Sequence, residues 1–215
     1  MKKILLLLTV LGVAANISAQ GTLYFANYVN GLLLAPIFGP DPSNPTALQH
    51  GQSAEFGIPS GPMVYNGPLL NGAGFTVALY AGTFGLPAQA LQLAATTTFI
   101  SSTINNLPAG LWMPSIVTIA GVAPGQRVTV DVRVWDNRGG SITSWEQALQ
   151  DATVARGSSG AFSPLGLLGG TPAPLDSPLI MMGMTSFNIA PAVPEPSFFD
   201  FLGLGVLLVC VRKFA

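Results

Sequence analysis

Between Arg127 and Trp135 the chain alternates strictly: Val128, Val130, Val132 and Val134 fall on one side, and Arg127, Thr129, Asp131, Arg133 and Trp135 on the other. Successive side chains of an extended strand point to opposite faces, so this run predicts a strand with one apolar face. The polar set predicts that the other face meets water, as in a half-exposed antiparallel sheet. Asp136-Asn137-Arg138-Gly139-Gly140 follows as a turn. Residues 75–80 repeat the pattern, with Phe75, Val77 and Leu79 on one side. Weaker strand candidates are 22–26, 96–101, 115–120 and 185–189, each bounded by Gly, Pro or Asn.

The 25 glycines and 18 prolines among 215 residues exclude long helical bundles. One short helix is expected. Ser144 and Gln147 have the spacing of a capping box. Trp145, Ala148, Leu149 and Ala152 then form an apolar stripe, and Gly157 is a suitable stop. The whole reads as mainly β: an antiparallel β-sandwich, jelly-roll or immunoglobulin-like, with one short helix packed over it. Residues 35–62, which hold six prolines, and residues 157–178 read as long loops.

Both ends carry patterns that do not belong to such a body. Lys2 and Lys3 precede an apolar run over 4–15, and a short polar stretch then ends at Ala19. This is the three-part form of a cleaved export signal, with Ile17 and Ala19 before a cut at Ala19–Gln20. As an uncleaved anchor the run is short, since twelve helical residues span about 18 Å of a core about 30 Å thick. At the other end, Val193-Pro194-Glu195-Pro196-Ser197 is followed by a span over 198–211, apolar except for Asp200, and then by Arg212 and Lys213. Fourteen helical residues reach about 21 Å. They insert if Asp200 lies at one interface and the basic pair snorkels at the other. Basic residues stay on the cytoplasmic side, so both ends predict the body outside and the tail tip inside. A buried strand would not need fourteen residues capped by Arg-Lys. The expected organisation is therefore a signal peptide over 1–19, an exported domain over 20–190, and a tail over 191–215 with a short membrane helix at 198–211.

The tripeptide Pro194-Glu195-Pro196, the span behind it and the basic tip, paired with an export signal, resemble the PEP-CTERM sorting signal. The resemblance covers residues 193–213. It implies recognition and cleavage near the motif by an exosortase, an integral-membrane transpeptidase, after passage through the Sec export machinery. It further implies transient anchoring in the inner membrane of a diderm bacterium that makes exopolysaccharide, and a final place on the cell surface or in the matrix. The tip departs from the family in holding only Arg212 and Lys213 where several arginines are usual, which weakens the expected retention before processing. Physically, each proline fixes φ, lacks an N–H donor and biases the residue before it toward extended backbone. Glu195 is thereby presented in an extended stretch, as a protease requires, and is the expected recognition charge.

Without its ends the body contains no lysine. Four arginines stand against seven carboxylates, a net charge of −3 that disfavours nucleic acid. The single cysteine, Cys210, lies in the tail, so the body has neither disulfide nor thiol chemistry. His50 is the only histidine and has only Ser53 and Ser60 near it in sequence, with no nucleophile-elbow motif. No zinc set is present, no cofactor or metal is implied, and Gly157-Ser158-Ser159-Gly160 lacks the lysine of a phosphate loop. Asp131, Asp136, Glu146 and Asp151 are the carboxylates from which a glycosidase pair or a calcium site at Asp136 and Asn137 would have to come. Trp135 and Tyr65, with Trp112, are the candidates for a sugar-stacking platform, set against the favoured reading that the second sheet or the helix covers that face and buries them in the core. The expectation is a non-enzymatic structural or adhesive surface protein. The alternative is a carbohydrate-binding module for extracellular polysaccharide.

Overall fold

The computed structural model describes residues 20–101, 109–170 and 177–193. The expected signal peptide over 1–19, the tail from Pro194 onward and the expected membrane helix at 198–211 lie outside these residues. Within them, no helix is long and apolar enough to cross a membrane.

Among the described residues the chain is mainly β with one α-helix. Its strands are β1 (Gly21–Phe25), β2 (Tyr28–Val29), β3 (Leu33–Leu34), β4 (Ile37–Phe38), β5 (Phe75–Thr83), β6 (Gln92–Thr98), β7 (Ser115–Ile119) and β8 (Val128–Asp136). A helix, α1 (Trp145–Gln150), precedes β9 (Arg156–Ser158), β10 (Leu179–Ile180) and β11 (Phe187–Asn188). The largest sheet has the order β6-β5-β8-β9 and is antiparallel throughout. A second sheet has the order β10-β1-β7, and β2-β3 and β11-β4 form two small pairs. No sheet among the described residues closes into a barrel. The expectation of purely antiparallel pairing is corrected, because β1 runs parallel to β10 and β11 parallel to β4. Both parallel partners return from a distant part of the chain, which no local alternation can reveal.

β5 and β8 pair over nine positions, from Phe75 opposite Asp136 to Thr83 opposite Val128. Val77, Leu79 and Ala81 share a face with Val130, Val132 and Val134. That face meets Leu23, Phe25, Val117 and Ile119 of the second sheet in one core. The opposite face of β8 is not wet, and here the sequence expectation is overturned. Thr129, Asp131, Arg133 and Trp135 are all buried. A second cluster of Ala78, Tyr80, Leu91, Trp135, Ala148 and Val154 covers that side of the sheet.

The helix begins where its cap predicts, with Ser144 Oγ accepting from the Gln147 N–H at 3.2 Å. Gln147 reaches back one residue further than a capping box, accepting from the Thr143 N–H at 2.8 Å. The expected stripe is shorter than it reads, since α1 ends at Gln150 and only Ala148 is buried within it. Leu149 and Ala152 face solvent. Gly157 does not stop the helix but sits in β9, where a Cβ would collide with the Asn188 carbonyl oxygen. The stretch 35–62 carries β4 and is tied down from afar. Asn188 Nδ2 donates to Ala47 O at 2.9 Å, and Gln52 Nε2 to Leu34 O at 2.7 Å.

Candidate functional site

On the covered side of the large sheet, the polar residues of β8 are held against one another. Arg133 Nε donates to Asp131 Oδ2 at 2.8 Å, and both side chains are almost fully buried. Ser158 Oγ on the neighbouring β9 donates to Asp131 Oδ1 at 2.6 Å, and Ser159 Oγ lies 3.3 Å from the same oxygen. Arg133 Nη2 donates to the Ala88 carbonyl at 2.6 Å. Its guanidinium carbon lies 3.9 Å from the centre of the Tyr80 ring and 5.6 Å from that of Trp145. Tyr80 is pushed above the ordinary phenol range by burial first and by the charge of Glu146 second. The sheet register explains the stacking, because Tyr80 faces Asp131 across the strands and Arg133 is its diagonal neighbour.

These groups form the floor of a groove of about 410 Å³, walled by Trp145, Glu146 and Leu149 of α1 and by Gln89 of a short 3₁₀ turn. Trp145 is half-buried. Its ring is set by the buried Trp135 ring, 6.2 Å away at 61°. Asp131 and Glu146 thus share a groove, as an acid pair would need to, but Asp131 is already committed to Arg133 and two serines. Asp136 lies elsewhere, with its carboxylate on Arg138 at 3.3 Å from Nε. Asn137 holds the turn, donating to Ala73 O at 2.7 Å and accepting from the Gly140 N–H at 3.2 Å. The calcium ligands considered for this turn are therefore engaged in its own structure. Among the described residues no three His, Cys, Asp or Glu side chains gather as a metal set.

The proposed stacking residues fare differently. Trp135 follows the favoured core reading and not the stacking one: it is 1% exposed, packs beneath α1 and donates its indole N–H to Ile142 O at 3.1 Å, so no ring face is open to a sugar. Trp112 is also buried, its N–H on Phe25 O at 3.3 Å. Tyr65 is half-buried and stacked on Phe38 with ring centroids 4.3 Å apart. Its hydroxyl is shared between Gly51 O at 2.6 Å and Ser186 O at 2.9 Å. The structure does not bring these three rings into one platform. Trp145 is the ring that does border a groove, and its place in an apolar stripe concealed it.

His50 is exposed, with Nε2 against Ser159 O and 3.4 Å from Thr185 Oγ1. Neither the Ser53 nor the Ser60 hydroxyl is hydrogen-bonded to it. Ser53 Oγ accepts from the Phe56 N–H, and Ser60 Oγ donates to Ala54 O. Of the two sorting regions, Gln20 and Val193 are described, and both are exposed. Ala19, Pro194, Glu195, Pro196, Arg212 and Lys213 lie outside the described residues. No family model, curated protein or solved structure matches the chain.

Tyr65 carries a pH prediction. Burial pushes its phenol up to about 12, and its two carbonyl partners cannot donate to a phenolate. A group whose folded pKa is raised keeps its contribution below the unfolded value near 10 and loses it as pH rises through the folded value. Stability in urea should therefore fall between about pH 10 and pH 12, and Tyr65→Phe should flatten part of that fall. An unchanged slope in the variant would assign the loss to other groups.

Proposed function

We propose that the chain is the precursor of an exported surface or matrix protein with a structural or adhesive role, delivered by two removable ends. The body is best read as a β-sandwich whose two larger sheets share the valine-rich core. Support comes from one observation above the rest: the hydrogen-bonded body lies between the two predicted addresses. β1 starts at Gly21, whose N–H donates to Val122 O at 2.7 Å. At the other end Ala190 pairs with Arg156 in both directions, and the Ala192 N–H donates to Ala152 O at 3.0 Å. Val193 then leaves the body 64% exposed, immediately before the Pro-Glu-Pro motif. Cuts after Ala19 and near Pro194–Pro196 would leave every strand of the described residues in place.

The same reading assigns the exosortase and the Sec machinery as processing partners, with the inner membrane as a transient anchor and the cell surface or matrix as destination. A body without lysine, carrying −3, suits a role that needs neither nucleic acid nor an anionic surface. Intact-mass measurement of the exported protein, with and without the exosortase, tests the assignment. Loss of residues 1–19 in both cells, and of the C-terminal tail only when the enzyme is present, supports it; an enzyme-independent mass overturns the sorting step.

A further inference from the structure

The exported-scaffold reading needs no ligand, yet the groove under α1 has the construction of a binding site. We propose that it takes a neutral saccharide, one sugar ring lying against Trp145 with its hydroxyls bonded to Glu146 and Gln89.

Four observations carry this. The volume of about 410 Å³ falls within the roughly 300–1,000 Å³ of small-ligand sites. Trp145 is the one tryptophan of three that is not buried, and among the described residues its indole N–H has no partner, whereas those of Trp112 and Trp135 do. A rigid aromatic face with a polar edge suits the apolar face and hydroxyl rim of a pyranose. The floor is fixed in advance, because Asp131 is saturated by Arg133 and the two serines, and Arg133 is clamped between Asp131, Ala88 O and Tyr80. Binding would therefore order little that is not already ordered.

The groups left over complete the match. Among the described residues the Glu146 carboxylate and the Gln89 amide have no hydrogen-bond partners, and both residues line the groove. They offer acceptors and donors side by side, and each sugar hydroxyl needs one of each. Charge decides the class of sugar. Arg133 is already matched by Asp131, so Glu146 leaves the groove net negative and repels uronates and phosphates.

The test uses the ¹⁵N-labelled full chain in a detergent without a sugar headgroup. Its three tryptophans give three indole signals, and Trp145→Phe identifies the one of interest. Cellotetraose or chitotetraose should shift that signal saturably and leave the Trp112 and Trp135 signals in place, while tetragalacturonate shifts none. Calorimetry should show neutral binding weakened about tenfold or more by Trp145→Ala. Trp145 touches Trp135, so that variant also risks the fold. Glu146→Lys, on an exposed side chain without a partner, should weaken neutral binding and admit tetragalacturonate. No response to either neutral tetrasaccharide at about 1 mM, a response to tetragalacturonate alone, or undiminished binding by the folded variants overturns the proposal.

Discussion

Replacing Asp131 with alanine is expected to destabilise the body by about 3–5 kcal/mol, the range for breaking a buried ion pair by removing one partner. Arg133 would remain with its side chain only 10% exposed and its main counter-charge gone. Ser158 would lose its 2.6 Å acceptor, and Ser159, whose Oγ also accepts from the Val132 N–H at 2.9 Å, would lose one of its neighbours. Asp131 is mid-strand and only 2% exposed, so water from the groove replaces its carboxylate incompletely. Urea unfolding of wild type and variant measures the difference. The paired replacement Asp131→Leu with Arg133→Met should recover most of it, since the pair's desolvation cost disappears with the charges. A loss below about 1 kcal/mol for Asp131→Ala would mean that the pair is effectively solvated, as surface pairs are.

The second large effect concerns delivery rather than stability. If Glu195 is the recognition charge, Glu195→Ala should leave the C-terminal tail uncleaved; the expectation rests on the prolines at both sides, which fix φ and bias the preceding residue toward the extended backbone a protease requires. Folding of the body should be unaffected, as its last main-chain bond in the described residues is made by Ala192. Cells carrying the exosortase should then accumulate a precursor longer by the tail, seen as a larger intact mass in the membrane fraction. A variant processed to the normal size would show that Glu195 is not the recognition charge.

The strands of this body were legible where one face is apolar. The alternation of Val128 to Val134 and of Phe75 to Leu79 marks β8 and β5, and Ser144 marks the start of α1. What the alternation could not convey is what covers the other face. Asp131, Arg133 and Trp135 look like solvent-facing residues when read along one strand. They are buried because Ser158, Ala88 and α1 reach them from 27 and 45 positions away and from the far side of a turn. Their polar groups are satisfied by each other, and a strand pattern carries no sign of that. The parallel pairs β1–β10 and β4–β11 escaped for the same reason. Trp145 keeps the core contact its place in the stripe predicts, against Trp135, but α1 is only six residues long and leaves the ring half-buried, so it also borders a groove.

The account turns on whether both ends are removed from a body that folds without them. Intact mass of the protein recovered from outside the inner membrane, compared between cells with and without an exosortase, measures this directly. The account predicts a product that begins at Gln20 and ends near the Pro194–Pro196 motif when the enzyme is present, and a membrane-held form retaining residues 198–213 when it is not. A single species running from Met1 to Ala215 in both cells would contradict it.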